Sequence, residues 1–239
     1  MNDLLSLMLE SHGGFARWNQ FRTVDAIVSI GGALWERKGW MEGMSRAHVT
    51  AELHAQHVSY SPFSSEGIRS LYNPSLVRLE TTEGKLIIER SLPRKAFDAH
   101  TIETPWDRLH LAYFSGYAMW NYLTTPFICV ADGVETEEIE PWTDQGVLRR
   151  RLKVTFPDHI ATHCAEQTFH VDSNGLIARQ DYQALVTGGG LIAQYLTDYV
   201  DVDGIRLPST RRAYRRSADG VAHFQHLLVG IDFHEIVLR

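Results

Sequence analysis

Thr104-Pro-Trp-Asp-Arg-Leu-His-Leu-Ala-Tyr-Phe-Ser-Gly-Tyr-Ala-Met-Trp-Asn-Tyr-Leu-Thr-Thr-Pro126 is the stretch whose reading decides the fold. Leu109, Leu111, Tyr113, Phe114, Tyr117, Met119, Trp120, Tyr122 and Leu123 would cover almost the whole circumference of a helix. Such a helix has no face for water and must be buried nearly all round. Thr104 suits the N-cap, Pro105 the first helical position, and Asp107 the third, where a carboxylate meets free N–H groups and the positive end of the dipole. Pro126 then disfavours helix at Thr125. From Leu109 to Ala131 there is no Asp, Glu, Lys or Arg, a length that raises the question of a membrane span. His110, Ser115, Asn121, Thr124, Thr125 and Pro126 lower its hydropathy too far for that. The expectation is a helix held in the trough of a curled sheet.

The flanking sequence supplies the sheet. Runs such as Val24 to Ile30 and Val49 to Val58 alternate with period two and read as strands. Glu83-Gly84, Asn174-Gly175, Asp203-Gly204 and Asp219-Gly220 sit between such runs, and residues tolerant of positive φ at these places reverse the chain into antiparallel hairpins. Around Asn174-Gly175 the arms are Thr162 to Val171 and Leu176 to Leu185; a two-residue loop and a three-residue bulged loop both fit, with registers one residue apart. Residues 2 to about 21 instead carry apolar positions at helical spacing, broken at Gly13-Gly14 into two short helices. The fold class is therefore mainly β with helices: one domain over 1–239, with at least eight antiparallel strands in a large curved sheet or open half-barrel, packed on a long aromatic-rich helix.

Composition narrows the partners. The net charge of −6 gives no basic footprint for nucleic acid or an anionic membrane. The N-terminus carries Asp3 and Glu10 where a secretory signal would place Lys or Arg, and Cys129 and Cys164 are too few for a disulfide framework, so a cytoplasmic protein is expected. No phosphate loop stands between a strand and a helix, and Gly188-Gly-Gly190 reads as a bend between strands, so no cofactor is expected. Nothing in the sequence specifies an oligomeric state.

Gly13-Gly14-Phe15-Ala16-Arg17-Trp18, followed by meandering strands and a late Tyr199-Val-Asp-Val-Asp-Gly-Ile-Arg-Leu-Pro208, resembles the LolA/LolB-like (lipoprotein localisation factor-like) superfamily, and the stretch from Thr104 to Phe127 looks like a narrower cytoplasmic bacterial branch of it. The resemblance spans most of the chain as an order of elements. It implies an open half-barrel with helices in its mouth and an apolar cavity for acyl chains or other lipidic groups.

Candidate chemistry is sparse. His159 and His163 would share a helix face suited to zinc, but the context is a loop feeding a strand, where positions four apart lie roughly 13 Å from one another. His54 with His57, and His223 with His226, fall on opposite strand faces, so no metal is expected. Cys164 and His163, adjacent on a strand, cannot make a nucleophile and base, and Cys164 reads as a buried structural thiol. Strand alternation splits Arg149-Arg-Arg151, Arg211-Arg212 and Arg215-Arg216 between two faces, which leaves an inward arginine able to meet an anionic head group. The leading expectation is a non-enzymatic binding protein for an apolar small molecule or lipid, with Trp106, His110, Tyr113, Phe114, Tyr117 and Trp120 lining the site. One alternative is an enzyme on the same scaffold, with Asp107 orienting His110 as a base and Tyr113 or Tyr117 as a donor. The other is a protein with a filled core that acts through its surface.

Overall fold

A computed structural model describes residues 2–239. The chain opens with helices α1 (Asp3–Ser11) and α2 (Phe15–Trp18), then β1 (Thr23–Gly31), a short α3 (Ala33–Arg37) and strands β2 (Met44–Glu52), β3 (Val58–Ser61), β4 (Ile68–Asn73), β5 (Leu76–Thr81) and β6 (Leu86–Ser91). The long helix α4 (Arg108–Thr124) follows. The second half is all strand: β7 (Glu135–Asp144), β8 (Val147–Thr155), β9 (Glu166–Val171), β10 (Ile177–Ala184), β11 (Gly190–Val202), β12 (Ile205–Arg216), the two-residue β13 (Ala222–His223) and β14 (Val229–Leu238).

The strands form one antiparallel 14-stranded sheet in the order β6-β5-β4-β3-β2-β1-β14-β12-β11-β10-β9-β8-β7, with β13 attached to β12. The two ends, β6 and β7, do not pair, so the sheet is open. Its curl follows from what α4 touches. The helix packs on β2, β3, β4 and β5, while Tyr122 on its other side meets Tyr182 of β10 and Arg211 of β12. Seven strand-to-strand steps separate β4 from β10, about 34 Å on a flat sheet at the usual spacing. A helix about 10–12 Å across reaches both only if the sheet wraps around it. That wrapping buries every residue of α4 from Leu111 to Thr124.

Turn chemistry behaves as the sequence implies. Asp203 and Gly204 both take positive φ, 51° and 84°, joining β11 to β12 in a two-residue reversal. At Asn174-Gly175 the three-residue form is present: Asp172 N–H donates to Leu176 O at 2.9 Å, and Gly175 N–H to Asp172 O at 2.9 Å. Two local readings are corrected. Val49 to Val58 is not one strand: β2 ends at Glu52 and β3 begins at Val58, with Ala51 opposite Val58 across a reversal that lacks any glycine. The N-cap of α4 is Asp107, not Thr104, because Thr104 is held in a preceding turn where its Oγ1 accepts from Thr101 N–H at 3.0 Å. Among the described residues no helix is long and apolar enough to cross a membrane.

Candidate functional site

A concavity tied to the core lies between α4, α3 and the β10–β14 half of the sheet. It encloses about 460 Å³, within the roughly 300–1,000 Å³ usual for small-molecule sites. Phe114 of α4 and Leu34 of α3 form one wall, and Tyr182, Ile192, Ala213 and Val229, from four neighbouring strands, form the floor. Those strand residues share the concave side because alternate side chains on each strand point the same way.

The mouth is bounded by two backbone segments that meet. The connection before α4 brings His100, Thr101 and Ile102 over the cavity, and Gly188-Gly-Gly190 faces it from the β10–β11 turn. Gly188 sits at φ +95°, and a Cβ there would come within 3.0 Å of Thr101 Cα, so the two segments rest directly on one another. The flap is tied from below by Lys38, whose Nζ donates to Thr101 O at 2.8 Å and to Thr104 O at 3.0 Å. Lys38 is fully buried, and burial pulls its ammonium down to about 8 against an opposing pull from Glu103.

At the inner end stands a buried imidazole–phenol cluster. His163 reaches the hydroxyl of Tyr117 with Nδ1 at 2.9 Å and that of Tyr122 with Nε2 at 2.8 Å. Its ring stacks on Tyr182 at 4.1 Å with 7° between planes. A neutral imidazole has one donor and one acceptor nitrogen, so one tyrosine donates to it and the other receives from it. Burial, aided by the Arg94 charge, lowers the His163 pKa to about 3, which keeps the ring neutral at ordinary pH. Burial likewise pushes the Tyr117 and Tyr182 phenols well above their usual value. The cluster is a rigid polar end to an otherwise apolar chamber. The sequence singles out His163 for its spacing from His159, which is exposed, and for its place beside Cys164, and neither pairing is the one it makes.

The six residues expected to line a site scatter around the helix. Phe114 borders the cavity. Trp106, just before the helix, and Trp120, on it, are 5% and 6% exposed. Trp106 packs against Phe114 at 4.9 Å, and Trp120 donates through Nε1 to Glu52 O at 2.8 Å. Tyr117 supports His163, and Tyr113 turns toward Arg94 and a smaller recess near Ile160. Asp107 and His110 do meet, with Oδ1 and Nδ1 2.9 Å apart. Both are consumed locally: Asp107 caps the helix through His110 N–H at 2.8 Å and pairs with Arg90 at 2.6 Å, while His110 Nε2 is bonded to Ala96 O at 3.2 Å. Cys164 is buried beside Glu166 O and Gln183 N, away from the His163 ring nitrogens.

No protein-family model matches the sequence, and no curated protein matches it. Solved structures do. A LolA superfamily protein from Nitrosomonas europaea aligns at 14% identity and TM-score 0.54, over 97% of this chain and 92% of that one. A DUF1329 family protein from Desulfovibrio piger aligns at 12% identity and TM-score 0.55, over 98% and 91%. A domain assigned by inference to outer-membrane lipoprotein sorting, from Vibrio parahaemolyticus, aligns at 9% identity and TM-score 0.56, over 98% and 92%. At these identities the likeness concerns architecture, and the architecture of this chain, an open antiparallel sheet wrapped around a helix, is the LolA/LolB-like fold.

Proposed function

We propose that this protein binds an apolar, lipid-like molecule in the cavity between α4 and the concave face of β10, β11, β12 and β14. The observation that carries the reading is a chamber of about 460 Å³ with a largely apolar lining, left beside a helix that is otherwise buried from Leu111 to Thr124. A core free to pack would fill such a space, because interiors reach crystal-like density. Kinship of fold with a LolA superfamily protein and with a domain named for lipoprotein sorting agrees with this use of the concave face. The Asp107–His110 pair, capped and bonded outside the cavity, adds nothing to an enzymatic reading.

The test is a thermal melt series against fatty acids, isoprenoids and detergents below micellar concentration. A ligand that binds only the folded state raises Tm by an increment that grows with the logarithm of its concentration above Kd. Leu191, at the mouth and only partly buried, gives the control: Leu191→Trp should retain the unliganded Tm and lose the ligand-induced increment. Equal stabilisation of both forms would place the binding elsewhere, and no shift with any compound would remove the reading.

A further inference from the structure

The charges of this protein are sorted by face. On the outer side of the sheet, arginines are paired with carboxylates: Arg179 with Asp181 at 2.6 Å and Asp144 at 3.1 Å, Arg149 with Asp172 at 2.8 Å, Arg212 with Asp232 at 2.6 Å. Around α4, apart from Arg90, which pairs with Asp107 at the helix start, Arg211, Lys38 and Arg94 bond to neutral oxygens instead. Arg211, 1% exposed, donates to Gln194 Oε1 at 3.1 Å and Tyr122 O at 2.7 Å and lies over the Tyr122 ring at 4.6 Å, with its Nε left without a partner. Lys38 bonds only the flap carbonyls, and Arg94 donates to Thr162 O at 2.9 Å. A guanidinium stays protonated even here, and a buried charge without a counter-charge is costly. The concave side therefore carries uncompensated positive charge in a chain whose net charge is −6.

The cavity opens onto that field. No aspartate or glutamate lines it, whereas Arg215 and Arg216 do. Arg215 lies two and four residues beyond Ala213 and Arg211 on the same face of β12, is exposed, and has no bonded partner among the described residues. The nearby flap carboxylate, Glu103, is engaged by Arg37 at 3.3 Å. Arg216, on the opposite parity, is drawn to Asp181 at 3.3 Å and is not free in the same way. Low-dielectric walls focus such a field at the opening.

We infer that the ligand of this cavity is an amphiphile with an anionic head, a carboxylate or phosphate, seated at Arg215 with its apolar tail between Phe114 and Ile192. The inference rests on the cavity-binding reading above and adds the class of head group. A guanidinium suits either anion because its fork of donors matches two oxygens at once.

The experiment is calorimetry on the full chain with dodecanoate, dodecyl phosphate and dodecanol, each below its micellar concentration, at low and high salt. Wild type should bind one or both anions roughly tenfold more tightly than the alcohol, with the gap narrowing as salt screens it. Whichever anion binds more tightly identifies the head as carboxylate or phosphate. Arg215→Gln, an exposed change that leaves the core untouched, should bring the anions down to the affinity of the alcohol and leave alcohol binding unchanged. Equal affinities in wild type, or a gap that survives Arg215→Gln, would overturn the inference while the cavity reading stands. If all three fail to bind, the cavity reading falls and this inference falls with it.

Discussion

His163 shows how one residue can be visible in a sequence and illegible in its role. Its type and its place in a loop before a strand were readable, but the two tyrosines that hold it come from a helix more than forty residues earlier in the chain. Arg211 was more accessible, since alternation along Leu207, Ser209, Arg211 and Ala213 sets a charged side chain on the face occupied by apolar neighbours. Buried neutral histidines also give stability a pH dependence. Burial lowers His163 from 6.5 to about 3 and His12 from 6.5 to about 4. Below pH 6.5 the unfolded chain takes up protons at these rings and the folded chain does not, so their contribution is whole above 6.5 and is lost as pH falls toward 4. Asp181 and Asp107, whose folded pKa values lie below 3.8, act in the same direction only at lower pH. Melts at constant ionic strength should therefore show Tm falling steadily between pH 6.5 and 4, within the histidine window. A flat Tm across that window would contradict the burial of both rings as neutral species.

At the scale of elements, α4 was the most legible feature. Its aromatic circumference required burial, and Pro126 bounded it one residue from the observed end at Thr124. Its start was misplaced by three residues, because Thr104 and Asp107 are both good caps, and the turn to Thr101 together with Lys38, 66 residues earlier in the chain, holds Thr104 outside the helix. Hairpins with Asn-Gly or Asp-Gly were found, while the reversal at Gln145-Gly146, where both residues take positive φ, was not, since glutamine is an uncommon occupant of such a site. Gly116 tests how closely the helix approaches the sheet. A Cβ there would collide with the Tyr72 ring of β4. Helix propensity alone favours Gly116→Ala by about 1 kcal/mol, but overpacking a tight core costs about 1–3 kcal/mol. Denaturant melts should show net destabilisation; a more stable Gly116→Ala would mean that α4 stands off β4.

At the scale of the molecule, the antiparallel sheet was readable from alternation and turns, and its count exceeds the expected minimum of eight because short strands such as β3 and β13 leave little periodic signal. The curl was foreseen from the need to bury α4. The location of the chamber was not, because it arises where the flap meets Gly188 and where α3, α4 and the neighbouring strands β10, β11, β12 and β14 leave a gap. Of the aromatic positions on α4 singled out beforehand, Phe114 faces that gap, since successive residues turn by about 100° around a helix and cannot all look one way. The claim at the centre of this account is that the chamber holds an apolar ligand. Native mass spectrometry of the protein purified from a bacterial host, with Leu191→Trp alongside, tests it most directly. The account predicts wild-type ions carrying an added mass that dissociates on denaturation and extracts into organic solvent, and Leu191→Trp ions without it. Bare wild-type ions that acquire no adduct in excess fatty acid, isoprenoid or detergent would contradict it.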